Sequence, residues 1–456
     1  MLVQVILWCL FAAAGWGYTT FDPACTRPVG SVNFVSNPDT RGTLDILWSS
    51  LFTLIACTWT IHHPNVPEQR DGRSPGRKGD LWWGLKSTCE SAKLALVTVL
   101  APELIISIAW DQRRIAKRVE QKLKALIDQD KVPWTRVHGH YAAMGGFVIR
   151  YNTSSEEGRG GPGVPYHLTA DDVIFLRRNL HLEKLPDVTR DELCDKSKSD
   201  PLLKVIAILQ ILWSIIQISA RAIRRLPISL LELNVLALAA SALVIYLLCW
   251  DKPKHVQVAV TVLTYPGEIP KDVKDGLEQV EMSAAWVILF DTAEELQVIR
   301  NTRPLKGVPL SNTRIQFSDE KAGDEATGNE KLDTEKRGVA VSLFVAATLF
   351  GAVHVTGWNL AFPTRAEQIL WRCAAIYILT LPCMIVLLHQ IGRLLGGILR
   401  VKDETVHSLS GLGGTLLSWV YLFARLFILV ETVRTFVSLP SNVFVATWTA
   451  NIPHFS

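Results

Sequence analysis

The feature that most limits how this chain can fold is a series of apolar blocks, each about as long as a bilayer is thick. Six of them, at approximately 44–62, 203–220, 228–250, 338–361, 371–390 and 409–433, are long enough to cross a hydrocarbon core of roughly 30 Å as helices. Backbone N–H and C=O groups find no water there, so such blocks must bond internally, and helices do this. A seventh stretch, LALVTVLAPELIISIAW at 94–110, is barely long enough and carries Pro102 and Glu103 near its centre. The expected fold is an all-α polytopic membrane protein of about 6–7 transmembrane helices after an N-terminal signal sequence. A small α/mixed cytosolic module accompanies them.

Residues 1–17, MLVQVILWCLFAAAGWG, have the short apolar core of a signal peptide, with Gly15 and Gly17 forming a small-x-small cleavage site. The segment lacks a basic n-region, so an uncleaved first helix is the alternative. Entry into the secretory pathway follows, with the endoplasmic reticulum, another membrane of that pathway or the plasma membrane as destination. Trp110, Trp250, Trp358 and Trp371 stand at block edges, where interfacial anchors are expected. The lipid bilayer is therefore the expected partner. A net charge of +4 is too small to point to nucleic acid. Of the eight cysteines only Cys25 falls in the expected luminal segment 18–43, which excludes a disulfide framework.

Basic flanks orient the spans. DQRRIAKRVEQKLK follows 94–110, DKPK follows 228–250, EKR precedes 338–361, and Arg393, Arg400 and Lys402 follow 371–390. All of these face the cytosol only if 94–110 does not cross. That stretch is then a re-entrant or interfacial segment within 44–112. Arg221, Arg224 and Arg225 fall on the luminal side and oppose this arrangement. The sequon at Asn152 is silent unless its loop is luminal.

Between the spans, 113–202 reads as a small helical module. Thr169-Ala-Asp-Asp172 and Thr189-Arg-Asp-Glu192 are expected helix N-caps, the second as a capping box. Residues 203–250 form a two-span hairpin, and 251–337 a cytosolic loop that opens with the strand-like VQVAVTVLTY. That loop ends, from Asp319, in a charged segment of disordered composition. A three-span bundle at 338–433 precedes the tail 434–456.

A charged side chain at the centre of a span costs roughly 2.5–3.5 kcal/mol to insert, so the polar residues inside these blocks carry information. Gln210, Ser214, Gln217 and Arg221 recur along one helical face, as do Gly411, Gly414, Ser418, Tyr421, Arg425 and Thr432. His354 is central in its block. Carboxylates available to Arg425 are Asp45, Glu103, Glu232 and Glu431. Such groups either hold helices in register or do chemistry. His62-His63 and His138-Gly-His140 lack further spaced ligands, and no metal is expected. The motifs GxxxxGK[ST], GxSxG, HExxH and DDxxD are absent, and no GxGxxG follows an expected strand, so no cofactor is expected either.

The runs RGTLDILWSSLFTLIACTWTIHHPNVPEQ (41–69), LAPELIISIAWDQ (100–112), HGHYAAMGGF (138–147), LELNVLALAASALVIYLLCWDKP (231–253) and LFARLFILVETVRTFVSLP (422–440) occur in an order that resembles a large group of fungal polytopic integral membrane proteins. DKSKSDPLLKVIAILQILWSIIQ (195–217) and HVTGWNLAFPTRAEQILWR (354–372) share the likeness. The resemblance implies a fungal source and a multi-pass fold, and supplies no mechanism. Three functions remain open. One is a membrane enzyme of secondary metabolism acting on a lipophilic small molecule, an isoprenoid or polyketide-like intermediate. Its candidate acids are Glu103, Glu232 and Asp45. The second is a small-solute transporter or channel in which Gln210, Gln217, Arg425 and a carboxylate line a polar path, and the third a seven-span receptor or scaffold.

Overall fold

The computed structural model describes residues 40–67, 69, 76–151, 164–197, 201–273, 325–399 and 403–451, which are mostly helical. The signal sequence at 1–17 and the sequon at Asn152 lie outside the described residues.

Among the described residues six helices are long and apolar enough to cross a membrane, or seven if a bent pair of helices is one span. The six are α1 (Thr43–Thr60), α7 (Pro201–Ile223), α8 (Leu230–Leu248), α9 (Glu325–Thr356), α10 (Arg365–Leu399) and α11 (Asp403–Phe436). These correspond to the six blocks read from the sequence. The charged segment expected to be disordered is helical from Glu325 onward. Its Glu, Lys, Ala and Leu residues favour helix, and extending a span that already exists avoids the cost of nucleation.

Between α1 and α7 lie α2 (Gly76–Leu100), α3 (Pro102–Asp130), α4 (Arg136–Ala143), β1 (Phe147–Tyr151), β2 (Val164–Leu168), α5 (Ala170–Arg178) and α6 (Arg190–Asp195). The strand β3 (Val260–Tyr265) follows α8. It pairs parallel with β1 while β2 pairs antiparallel, giving the sheet order β2-β1-β3. The module at 113–202 is therefore not simply helical, and it does not end where the two-span hairpin begins. Its third strand arrives after α7 and α8, a pairing that local periodicity cannot reveal.

The module's core gathers Leu123, Tyr141, Phe147, Ile149, Leu168 and Leu176. Thr169 with Asp172, and Thr189 with Glu192, form capping boxes at α5 and α6. The turn from α4 into β1 needs two glycines. Gly145 sits at φ +73, and a Cβ on Gly146 would lie 2.3 Å from the Tyr141 ring.

Cations fasten this module to the spans. Arg113 Nη1 donates to the carbonyls of Leu247 (3.0 Å) and Leu248 (3.1 Å), where α8 ends. Lys254 Nζ donates to Thr60 O, where α1 ends, and Lys252 Nζ donates to His63 O (3.0 Å). Unpaired carbonyls and the negative end of the helix dipole favour cations at both places. At the opposite end of the bundle the C-terminal tail closes over α1, α7 and α8. Arg41 N–H donates to Phe444 O (2.8 Å), and Arg41 pairs with Glu232 through both nitrogens (2.5 and 3.1 Å).

Arg221 is part of that closure. It donates to Pro227 O, Val445 O (2.7 Å), Asn442 O and Val443 O (2.9 Å). Its place opposite the basic flanks thus has a structural cause, since it is consumed by carbonyls of the tail. Arg221→Ala leaves those carbonyls unmet, and the expected loss is roughly 3 kcal/mol. The check is a lowered melting temperature of the full chain in detergent.

Within the module, His140 is 1% exposed and neither ring nitrogen has a hydrogen-bond partner among the described residues. Burial, with the cations Lys252, Arg113 and Arg136 nearby, pushes its pKa down to about 3. The folded state therefore holds His140 neutral, while an unfolded histidine takes up a proton below about pH 6.5. This contribution to stability is fully present above that pH and is lost as pH falls toward the folded value. The expected cost is about 2 kcal/mol near pH 5. Replacing His140 by Phe flattens the dependence, read from Trp134 fluorescence during urea unfolding at pH 7 and pH 5.

Candidate functional site

The stretch at 94–110 is not one helix. α2 ends at Leu100, Ala101 adopts φ −149 and ψ 68, and α3 starts at Pro102 with its direction bent by 109°. Proline lacks an N–H and crowds the residue before it out of the helical region, so Pro102 opens a helix well and interrupts one badly. Gln69, ahead of α2, bonds to Gln257 O, and the far end of α3 is built into the module's core at Leu123. The far end of α3 therefore lies on the module's side of the bundle.

A break leaves bare carbonyls at the end of the first helix and bare N–H groups at the start of the second. Arg425, fully buried on α11, answers the carbonyls. Its Nε donates to Leu100 O at 2.7 Å and its Nη2 to Val99 O at 2.6 Å. Its guanidinium lies 4.0 Å from the centroid of the Phe350 ring. Glu103 stands in the first turn of α3, where a carboxylate complements the helix dipole. Tyr421, one turn before Arg425, places its hydroxyl against Glu103 Oε1 and within 3.2 Å of Leu100 O.

His354 completes the cluster from the end of α9. Its Nδ1–H donates to Phe350 O (2.9 Å), and its ring lies 4.4 Å from Phe350 and 5.8 Å from Trp371. Trp371 Nε1 in turn donates to His354 O. Glu103 Oε2, Arg425 Nη1 and His354 Nε2 are buried and find no partner among the described residues. A carboxyl, a guanidinium and an imidazole thus each keep one unused polar atom beside three aromatic rings. That combination can exchange a proton and hold the polar end of a ligand.

The other residues singled out by sequence fall elsewhere. Glu232 accepts from Ser229 N (2.9 Å) and Ser229 Oγ (2.9 Å) and pairs with Arg41, so it caps α8 and is fully engaged. Asp45 is exposed and accepts from Gly42 N (2.7 Å), capping α1. Gln210 donates to Thr53 Oγ1 (2.9 Å), with Ser214 Oγ 3.3 Å from the same hydroxyl, which joins α7 to α1; Gln217 is half-buried further along α7. Trp371, read as an interfacial anchor, is completely buried.

Sequence reasoning missed Phe350 and the part played by the Val99 and Leu100 carbonyls. Pro102 was the signal that would have located the latter. His138 is engaged by Thr135 and by Val188 O (2.7 Å), and no group of three potential metal ligands comes together among the described residues.

No curated protein and no solved structure matches the chain. Residues 17–272 match the Family of unknown function (DUF8562), a stretch that holds Glu103 and Glu232 and stops before the helices carrying His354, Tyr421 and Arg425. As that stretch is more than half of the sequence, the chain belongs to this family.

Proposed function

We propose that this chain is a multi-pass membrane enzyme that uses Glu103 as a general acid on a lipophilic biosynthetic intermediate. The observation that carries the reading is the unused oxygen of Glu103, held at a helix break among Tyr421, Arg425, His354 and aromatic rings. The Tyr421 hydroxyl has one proton and faces two acceptors. Tyr421 donates to Glu103 Oε1, so a proton on Oε2 is the one left free to be given. A protonated carboxyl in an apolar setting suits protonation of an alkene or epoxide, and the Trp371 and Tyr421 rings nearby suit the cation that follows. An isoprenoid or polyketide-like substrate fits those requirements.

A second reading is favoured by the break itself. Interrupted helices whose ends face a buried polar site are the way many transporters bind their solutes, so passage of a small solute past Arg425 and His354 is the alternative. The signal-like 1–17 supports insertion through the secretory pathway, and the basic flanks support a cytosolic module. A fungal source rests on the resemblance of the runs quoted above, and a place in secondary metabolism on the reading of Glu103 as an acid. The test is Glu103→Gln: loss of turnover with normal expression and insertion agrees with the enzyme, and full turnover removes Glu103 from the chemistry.

A further inference from the structure

We propose that α3 carries a proton route along its buried face, from Asp111 at the module's side of the membrane through Ser107 to Glu103. It rests on the reading above only in taking Glu103 as the group that holds the proton.

The three residues are four apart, so they share one face and successive positions rise about 6 Å. All are buried: Glu103 4%, Ser107 1% and Asp111 4% exposed. Ser107 is the informative one. A serine or threonine inside a helix commonly returns its hydroxyl to the carbonyl four residues back. Thr53, Thr98, Ser214 and Ser241 in this chain do so. Ser107 does not, and its Oγ, like Glu103 Oε2, has no partner among the described residues. A buried hydroxyl left in that state needs water to satisfy it.

The spacing suits that solution. Two hydrogen bonds of about 2.8 Å through one water bridge nearly 6 Å. Ile106 and Ala109 of α3 pack with Ala242, Ile245 and Tyr246 of α8, which keeps the flank of the route apolar. Asp111 lies two residues from Arg113, which caps the module-side end of α8, so the route opens where the span ends. The charged or titratable groups around its inner end are Arg425 and Tyr421 on α11 and His354 on α9. Around its outer end, Lys252 donates to Gln112.

In each passage Asp111 takes a proton from bulk water and hands it to the first bridging water. Ser107 Oγ accepts one proton and releases its own, and the second water delivers one to Glu103. One proton moves inward and no electron changes owner.

The experiment is deuterium exchange of the Glu103 carboxylic acid, followed by infrared difference spectroscopy on the full chain in phosphatidylcholine nanodiscs. The Glu103→Gln variant identifies the band. Interrupting one hop in Ser107→Ala or Asp111→Asn is expected to slow exchange by about tenfold or more. Ser107→Thr, which keeps the hydroxyl, restores the rate, and Asp45→Asn at the opposite end leaves it unchanged. Exchange in Ser107→Ala and Asp111→Asn at the wild-type rate overturns the proposal, as does the absence of any Glu103 carboxylic band. The two readings fail separately. Unslowed exchange with an inactive Glu103→Gln keeps the acid and removes its route. Slowed exchange with an active Glu103→Gln does the reverse.

Discussion

Arg425→Met is expected to lower the stability of the folded chain by roughly 4–6 kcal/mol, a large part of what a typical domain has. The reason is the helix break. The carbonyls of Val99 and Leu100 point into the bundle, and Arg425 is the side chain that meets both. Without it Val99 O goes unpaired, at about 1–3 kcal/mol, and Leu100 O is left with only the Tyr421 hydroxyl, losing about 1 kcal/mol more. The desolvated contact with Phe350, about 2 kcal/mol, goes as well. Methionine fills similar volume, so the effect reports the lost donors more than a cavity. Arg425→Lys should fall between, because an ammonium cannot reproduce the planar fork that serves two carbonyls and stacks on a ring. Melting of purified protein in detergent measures both. A variant that melts with the wild type would show that the break is satisfied in some other way.

Glu103→Gln should have the contrasting signature. The amide matches the carboxyl in shape and still has an oxygen and a donor to offer Tyr421, so folding changes little. It carries no proton to give, and turnover is expected to drop about 10²–10⁴-fold. Glu232→Gln should do the opposite, weakening the pair with Arg41 and the cap at Ser229 while leaving the acid at Glu103 in place. Running the two variants together separates a chemical carboxylate from a structural one, a distinction that burial alone does not make.

The spans were legible in the sequence because a bilayer leaves a single-helix solution to each apolar block, and hydropathy reads that solution directly. Arg425 and Glu103 were legible as costly residues inside such blocks. Their relation was not, since they meet only through the carbonyls of Val99 and Leu100, which have no side-chain signature. The break itself was half visible: Pro102 argued for an interruption, but not for a bend of 109°. Glu232 and Asp45 stood beside Glu103 as candidate acids, although both lie near span ends. What separates them is Arg41 beside Glu232 and the solvent exposure of Asp45, neither readable from span position. The module's sheet was hidden for a different reason, because β3 reaches β1 only after two spans have intervened.

The most direct test of an acid at the helix break is metabolite profiling of a deletion strain that carries either the wild-type chain or Glu103→Gln, in cells and in medium. The account predicts that the wild type restores the parental profile. Glu103→Gln should leave the deletion's pattern, a precursor accumulating at the expense of a product one chemical step away. Full restoration by Glu103→Gln contradicts the account, and an unchanged set of compounds redistributed between cells and medium contradicts it in favour of transport.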